Sequence, residues 1–262
     1  MSAATGRPVP DPSAIGQAGG VPSQKPTRPL AFLAPMPSEF RPLQRTLSLR
    51  RISDGDPPIY TGTFAGRYVV ASLTGIGTTR AARRTEQLLD RYDVEHLVVI
   101  GVAGGMGIGV KVGDVVIPEV VIDYADGATF RPSPGEATPA SGRLITSGDF
   151  ITDTEVLGRL RTEGATAIDM ETAAIARVCQ DHGCEWSVFR GISDDAFDPA
   201  VDDAIVGLAR PDGSPNLAAV TRFVAGNPMR VRLLARLARD LKVATNGSVA
   251  AALRAWEARD RA

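Results

Sequence analysis

His96–Gly107 reads HLVVIGVAGGMG, an apolar run with little polar alternation that ends in a cluster of glycines. Such a run suits a central strand buried on both faces, and the glycines suit a backbone that must come close to something else. Upstream, PLAFLAPM (Pro29–Met36) predicts a first strand delivering a turn that carries Met36, Ser38 and Glu39. IYTGTFAGRYVVASLTGIG predicts a hairpin, with strands over Tyr60–Phe64 and Tyr68–Leu73 and a turn at Ala65-Gly66. TTRAARRTEQLLDRY has helical spacing, with Thr78 or Thr79 as its cap.

Downstream, VGDVVIPEVVIDY predicts a strand broken at Pro118, and a Pro- and Gly-rich loop from Gly127 to Gly142 leads into the strand RLITSGDF. AIDMETAAIA (Ala167–Ala176) sets Asp169 and Glu171 at the mouth of an apolar helix that runs to about Gln180 and stops at Gly183. EWSVFRGISDD predicts a buried strand ending in Ser193, Asp194 and Asp195. Strands alternating with helices define an α/β layered sheet, in which loops at strand ends collect the chemistry.

The flanks differ in character. Residues 1–28 are rich in Pro, Gly and Ser and almost free of large apolar side chains, which predicts a disordered leader. From about Leu217 the chain predicts a helical extension, 217–262, packed on the domain formed by 29–216. Its strongest segment, MRVRLLARLARDLK, puts Leu234, Leu237, Ala238 and Leu241 on one face and Arg232, Arg236 and Arg239 largely elsewhere. That amphipathic basic helix admits docking on the core, subunit contact or contact with an anionic membrane surface.

Composition narrows the partner. Lys and Arg total 29 against 30 Asp and Glu in 262 residues, so there is no global electrostatic footprint for nucleic acid, and a small molecule is the better expectation. Two cysteines and no apolar signal core predict a reducing, cytoplasmic setting. No apolar run approaches the roughly 18 residues of a membrane span. Cys179, His182 and Cys184 crowd one helix end, but His96 is the sole other histidine, and no metal site is expected.

The nucleotide motifs fail on inspection. GGMGIGVKVGD does not give G-x-G-x-x-G in register and leads into a strand rather than a helix, and neither a phosphate-loop motif nor G-x-S-x-G is present. What remains is a set of acids at strand ends and helix starts: Glu39, Asp149, Asp169, Glu171 and Asp194.

In order and spacing, YTGTFAG, TGIG, GVAGG, KVGDVVIP, SGDF, IDMETAAIARVCQDHG and FRGISDDA resemble the purine nucleoside phosphorylase and uridine phosphorylase superfamily. They are most similar to its nucleosidase branch, the 5'-methylthioadenosine and S-adenosylhomocysteine nucleosidases. The resemblance spans about Pro29 to Asp198. It implies a three-layer α/β/α sandwich with a twisted central mixed sheet, assembly into a homodimer or larger ring, and no metal or organic cofactor.

The resemblance also assigns roles. Glu171 would bind the ribose 2'- and 3'-hydroxyls above Met170, with the helix dipole keeping the acid ionised. Asp194 would share a proton with purine N7, oriented by Ser193. Glu39 would deprotonate the attacking water, and Arg190 would support the water and the acid network. Phe150 would meet the base, while Ala103 and Gly104 let backbone approach the ligand; Ile151 and Ile76 would complete the substrate contacts. The chemistry needs these types, because an oxocarbenium-like transition state requires a protonated leaving base, a stabilised sugar cation and a nucleophile. Burial must lift Asp194 above the ordinary aspartate value of about 3.9 for it to hold a proton at neutral pH.

Several places depart from the family pattern. The superfamily's phosphorylases hold phosphate with a G-D-P-x-R loop, where this chain has APMPSEF, and Val99 and Val102 stand where some of them carry an arginine and a hydroxyl. Water is therefore the expected nucleophile, with a phosphorylase and a non-catalytic nucleoside-binding protein as the alternatives. Asp169 replaces a usual glutamate and needs no more than a capping or structural role. The short stretch between Asp123 and Gly148 implies an open 5' end. VGLARPDGSPNLAAV and the Arg-rich helices after it are similar to the C-terminal portion of hopanoid-associated members, which implies a bulky or lipid-linked adenosine as an alternative substrate.

Overall fold

The computed structural model describes residues 28–259 except 54, 56, 136–137, 199–204, 206, 209, 211, 213, 215 and 227–229. The expected leader therefore lies outside the described residues except for Arg28, whose guanidinium donates to Val94 O and pairs with Asp93, both at 2.7 Å.

The described strands are β1 (Leu30–Ala34), β2 (Arg50–Ser53), β3 (Ile59–Phe64), β4 (Arg67–Leu73), β5 (His96–Gly105), β6 (Val115–Val116), β7 (Val120–Asp123), β8 (Thr129–Phe130), β9 (Arg143–Thr146), β10 (Ala165–Asp169) and β11 (Glu185–Asp195). The helices are α1 (Pro37–Thr46), α2 (Thr78–Arg91), α3 (Thr154–Thr162), α4 (Thr172–Asp181), α5 (Leu217–Gly226) and α6 (Arg230–Arg259). One mixed sheet runs β2-β3-β4-β1-β5-β10-β9-β7-β8, with β11 joined to β5 and β6.

The stretch His96–Gly105 is the strand on which this sheet branches. Along one side it pairs in parallel with β1 as far as Leu33↔Val99. Antiparallel pairing with β10 resumes only at Ile168↔Gly104. β11 runs parallel to it over the whole length, from Glu185↔His96 to Asp195↔Gly105. Between the two partial pairings lie Ile100–Ala103, where β1 has ended and β10 has not begun; the site opens there.

Alternation along β5 divides the core. Leu97, Val99 and Ala103 pack with Ala81 and Leu88 of α2 and Ala173 and Ile175 of α4. Val98 and Ile100 pack with Phe40 and Leu43 of α1 and Val249, Ala252 and Trp256 of α6. Helices thus cover both faces, giving the expected three layers. The tail helix docks on β11 and β5. Its most buried residues are Ala244–Trp256, beyond the segment whose pattern stood out in the sequence, and Ala238 of the expected apolar face is exposed.

Four local expectations change. Met36, Ser38 and Glu39 do not sit in a turn: Met36 is the N-cap of α1, Pro37 opens it, and Glu39 is its third residue. Neither threonine caps α2; the cap is Gly77, at φ +95°. Strand β8 lies inside the loop expected over Gly127–Gly142, and Ala167–Asp169, expected at the mouth of a helix, close strand β10, while α3 falls in a stretch given no element. Ala65 and Gly66 do form the expected hairpin turn, both at positive φ, as the twist of the flanking strands favours.

Candidate active site

Where β1 and β10 diverge along β5, a cavity of about 290 Å³ opens. Its wall includes Glu39, Ile76, Ala103, Gly104, Phe150, Ile151, Met170, Glu171, Ser193 and Asp194, so ten of the residues expected from the sequence converge there. Arg190 does not line it. Its side chain is fully buried beneath the wall, where it touches the acids rather than the opening.

Glu39 is held by its own helix and by the unpaired edge of β5. Oε2 accepts from Met36 N–H at 2.7 Å, as a glutamate in the first helical turn does when it reaches back to its cap. Oε1 accepts from Val102 N–H at 2.8 Å. Val102 thus contributes through its backbone, whatever its side chain lacks. Burial pushes the Glu39 carboxyl up to about 7, against the opposing pull of Arg190 and the two N–H donors. Gly101, at φ +152°, is required beside it: a Cβ there would stand 2.3 Å from Arg190 Nη1 and 2.7 Å from Glu39 Oε1.

The two acids of AIDMETAAIA separate cleanly. Asp169 ends β10 and turns inward, accepting from Thr146 Oγ1 at 2.7 Å, from Glu171 N–H at 3.4 Å and from Thr172 N–H at 3.3 Å. It also accepts from the Thr172 hydroxyl and pairs with Arg190 at 2.6 Å. It therefore satisfies the exposed N–H groups at the start of α4, the structural role the sequence allowed it. Glu171 occupies the N-cap position without a side-chain cap bond, leaving its carboxylate to the cavity.

Glu171 Oε1 accepts from Gly77 N–H at 3.0 Å, and Oε2 lies 3.5 Å from Arg190 Nη2. The amide at the cap of α2 is thus used to hold an acid 94 residues away in sequence. Burial pushes the Glu171 carboxyl up to about 8, with Arg190 opposing and Asp169 and Glu39 adding to the rise. Desolvation outweighs the helix dipole expected to keep this acid ionised.

Asp194 owes its position to a register shift. The β11–β5 pairing slips between Ile192 and Asp194, a bulge that re-aims the strand end into the cavity. Ser193 Oγ donates to Asp194 Oδ1. Burial raises this carboxyl above its ordinary value, with Asp198 and Asp195 adding to the rise and the Ser193 bond opposing it.

Other wall residues had no substrate role assigned from sequence. Met36, Val102, Asp149, Ile168 and Ala196 join it from strand and helix ends, while Ile205, Leu237 and Leu241 come from the C-terminal part of the chain. The available signals were Pro37 and Glu39, which mark a helix start directly after β1, and the apolar face of the tail that contains Leu237 and Leu241.

The family model of the phosphorylase superfamily matches residues 29–141 and 135–225. A 5'-methylthioadenosine/S-adenosylhomocysteine nucleosidase of Chromohalobacter salexigens is 32% identical over 198 residues, covering 64% of this chain and 84% of the relative. The nucleosidase of the same name from Actinobacillus succinogenes is 35% identical over 169 residues, 53% of this chain and 74% of its own length. Among solved structures, the Helicobacter pylori nucleosidase of that name superposes with a TM-score of 0.68 at 16% identity, covering 89% of this chain and all of that one. Futalosine hydrolase from the same organism gives 0.66 at 17% identity over 88% of this chain and 98% of its own. These structural likenesses carry the fold.

Proposed function

The chain belongs to the phosphorylase superfamily, and from that premise we propose that it is an N-ribosyl hydrolase releasing the free base from a purine nucleoside, a 5'-modified adenosine of the methylthioadenosine or S-adenosylhomocysteine type. One observation carries the reading: three carboxylic acids, the buried Glu39 and Glu171 and the half-buried Asp194, face a single cavity, and the surroundings raise all three above their ordinary values.

Each acid then has a task. Asp194 keeps a proton and passes it to N7, so that the C1'–N9 bonding electrons leave with a neutral base. The sugar cation left behind is attacked at C1' by water, whose proton goes to Glu39, an acid near 7 and half ionised at neutral pH. Glu171 accepts from the ribose hydroxyls; these bonds favour its carboxylate form and offset the burial that pushes it up to about 8. Arg190 works through the acids as a positioning residue. Water rather than phosphate is supported by Glu39 itself, whose charge repels an anion at the attacking position.

Leu237 and Leu241 supply apolar wall against which an apolar 5' substituent fits. Dimer assembly belongs to the same reading, supported by Ile108 and Val112 after β5 and by Val243 of α6, all exposed. The test offers methylthioadenosine, S-adenosylhomocysteine, adenosine, inosine and a long 5'-alkyl adenosine, with and without phosphate, and follows base and sugar products. Phosphate-independent release of base and free sugar is expected. Ribose 1-phosphate formed only with phosphate present overturns the hydrolase, and binding without release leaves a nucleoside-binding protein. Preference for the long-chain substrate over methylthioadenosine moves the assignment to a bulky adenosine.

A further inference from the structure

The two cysteines of the chain flank the passage from α4 into β11, Cys179 in the last turn of the helix and Cys184 directly before the strand, away from the cavity. The helix ends on Gly183 at φ +61°, with Gly183 N–H donating to Gln180 O at 3.1 Å and Cys184 N–H to Cys179 O at 2.8 Å. This pair of bonds defines a Schellman ending, a motif that brings together the side chains three residues before the cap and two after it, commonly as an apolar contact. Here those side chains are Cys179 and Cys184, both free thiols, and Cys184 Sγ donates to Glu185 O at 3.4 Å.

The backbone bond caps the Cα–Cα separation at about 6.7 Å, inside the span a disulfide accepts. Among the described residues no group of His, Cys, Asp and Glu is arranged to hold a metal here. The partners are unequal in access: Cys179 is fully buried, whereas Cys184 keeps 9% of its surface exposed. They are unequal in acidity as well. The neighbouring Cys184 thiol, with burial, pushes Cys179 well above the ordinary thiol value, while the neighbouring Cys179 thiol, with the Arg28 charge, holds Cys184 below it. In such an asymmetric pair the less buried, more acidic thiol, Cys184, is the one to react and its neighbour the one to resolve.

We propose that Cys179 and Cys184 are a redox pair that closes into an intrachain disulfide on exposure to a peroxide, with Cys184 as the attacking and Cys179 as the resolving sulfur. The Cys184 thiolate attacks one peroxide oxygen; the S–O bond forms, the O–O bond breaks, and hydroxide leaves. Cys179 then attacks the sulfenic sulfur; the S–S bond forms, the S–O bond breaks, and the departing hydroxide takes the Cys179 proton as water. Two electrons pass from the pair to the peroxide. The bond fixes the turn joining α4 to β11, the two elements whose far ends carry Glu171 and Asp194.

The experiment treats the full chain with hydrogen peroxide, then denatures, alkylates and weighs it. Expected are the loss of both alkylatable thiols, a mass decrease of two hydrogen atoms, and full reversal by dithiothreitol. Cys179→Ser is expected to stop at a sulfenic acid on Cys184 that dimedone labels, and Cys184→Ser to resist labelling. Thiols that remain alkylatable, oxygen gained without a disulfide, or a disulfide formed only between two chains each overturn the proposal.

Discussion

Glu39 joins two functions that pull in opposite directions. Its N–H partners favour the ionised form, burial favours the neutral one, and the balance near 7 suits a general base. The pH profile of kcat/KM should accordingly rise between about 7 and 8, as Glu39 and then Glu171 ionise, rather than near the ordinary glutamate value of about 4.3. A lower limb near 4 to 5 removes Glu39 as the base. Asp194→Asn should lose at least about 100-fold in turnover, because the amide cannot deliver a proton to the leaving base; near-normal kcat sinks that role. At this scale the sequence was most legible where a family motif named the residue, as at Met170-Glu171 and Ser193-Asp194. The company each acid keeps was less visible. That Asp169 would be consumed by Thr146, Thr172 and Arg190 depends on contacts reaching 23 residues along the chain.

Elements convert these residues into a site. β5 was legible because a strand buried on both faces writes its burial as a continuous apolar run. Helix α3 was not, since TEVLGRLRT is short and carries a glycine; it is held by Asp153, which accepts from Glu155 N–H at 2.8 Å and Val156 N–H at 3.3 Å, and by packing of Leu157 and Leu160. The docking of α6 on β11 depends on Gly191, where a Cβ would meet the Ala244 carbonyl oxygen at 2.0 Å. Backbone faces backbone there, so the helix itself must shift. Gly191→Ala is expected to destabilise the fold by about 1–3 kcal/mol in a denaturant melt. Gly158→Ala serves as the matched control: within α3, with nothing inside 4 Å of the added methyl, it should gain up to about 1 kcal/mol. Equal melts for the two variants would place α6 further from the sheet than described.

For the molecule as a whole, the site is a charge imbalance enclosed in the core. Glu39, Asp169 and Glu171 are buried around one arginine. Two of these acids have folded-state values raised to about 7 and about 8, so between the ordinary glutamate value and 8 the folded chain holds more protons than the unfolded one. Stability should therefore be fully present below about 4.5 from these two groups and fall as pH rises through 7 to 8. Melting temperatures measured from pH 5 to pH 8.5 should decline. A Tm that climbs over that range contradicts the burial-driven shifts. The layered architecture itself was readable from alternating strands and helices, but the branching of β5 between β1, β10 and β11 was not, because strand order is set by long-range pairing that no local pattern encodes.

Ser248 carries one more consequence. Its hydroxyl accepts from Gly101 N–H at 3.0 Å and donates to Phe189 O at 2.8 Å, tying α6 to the two central strands across 147 and 59 residues of sequence. These closures have high contact order, and each costs chain entropy before it returns any stabilisation. Residues 230–259 cover the face of β5 and β11 beneath them, so a chain that lost this helix would expose its apolar central strands to self-association.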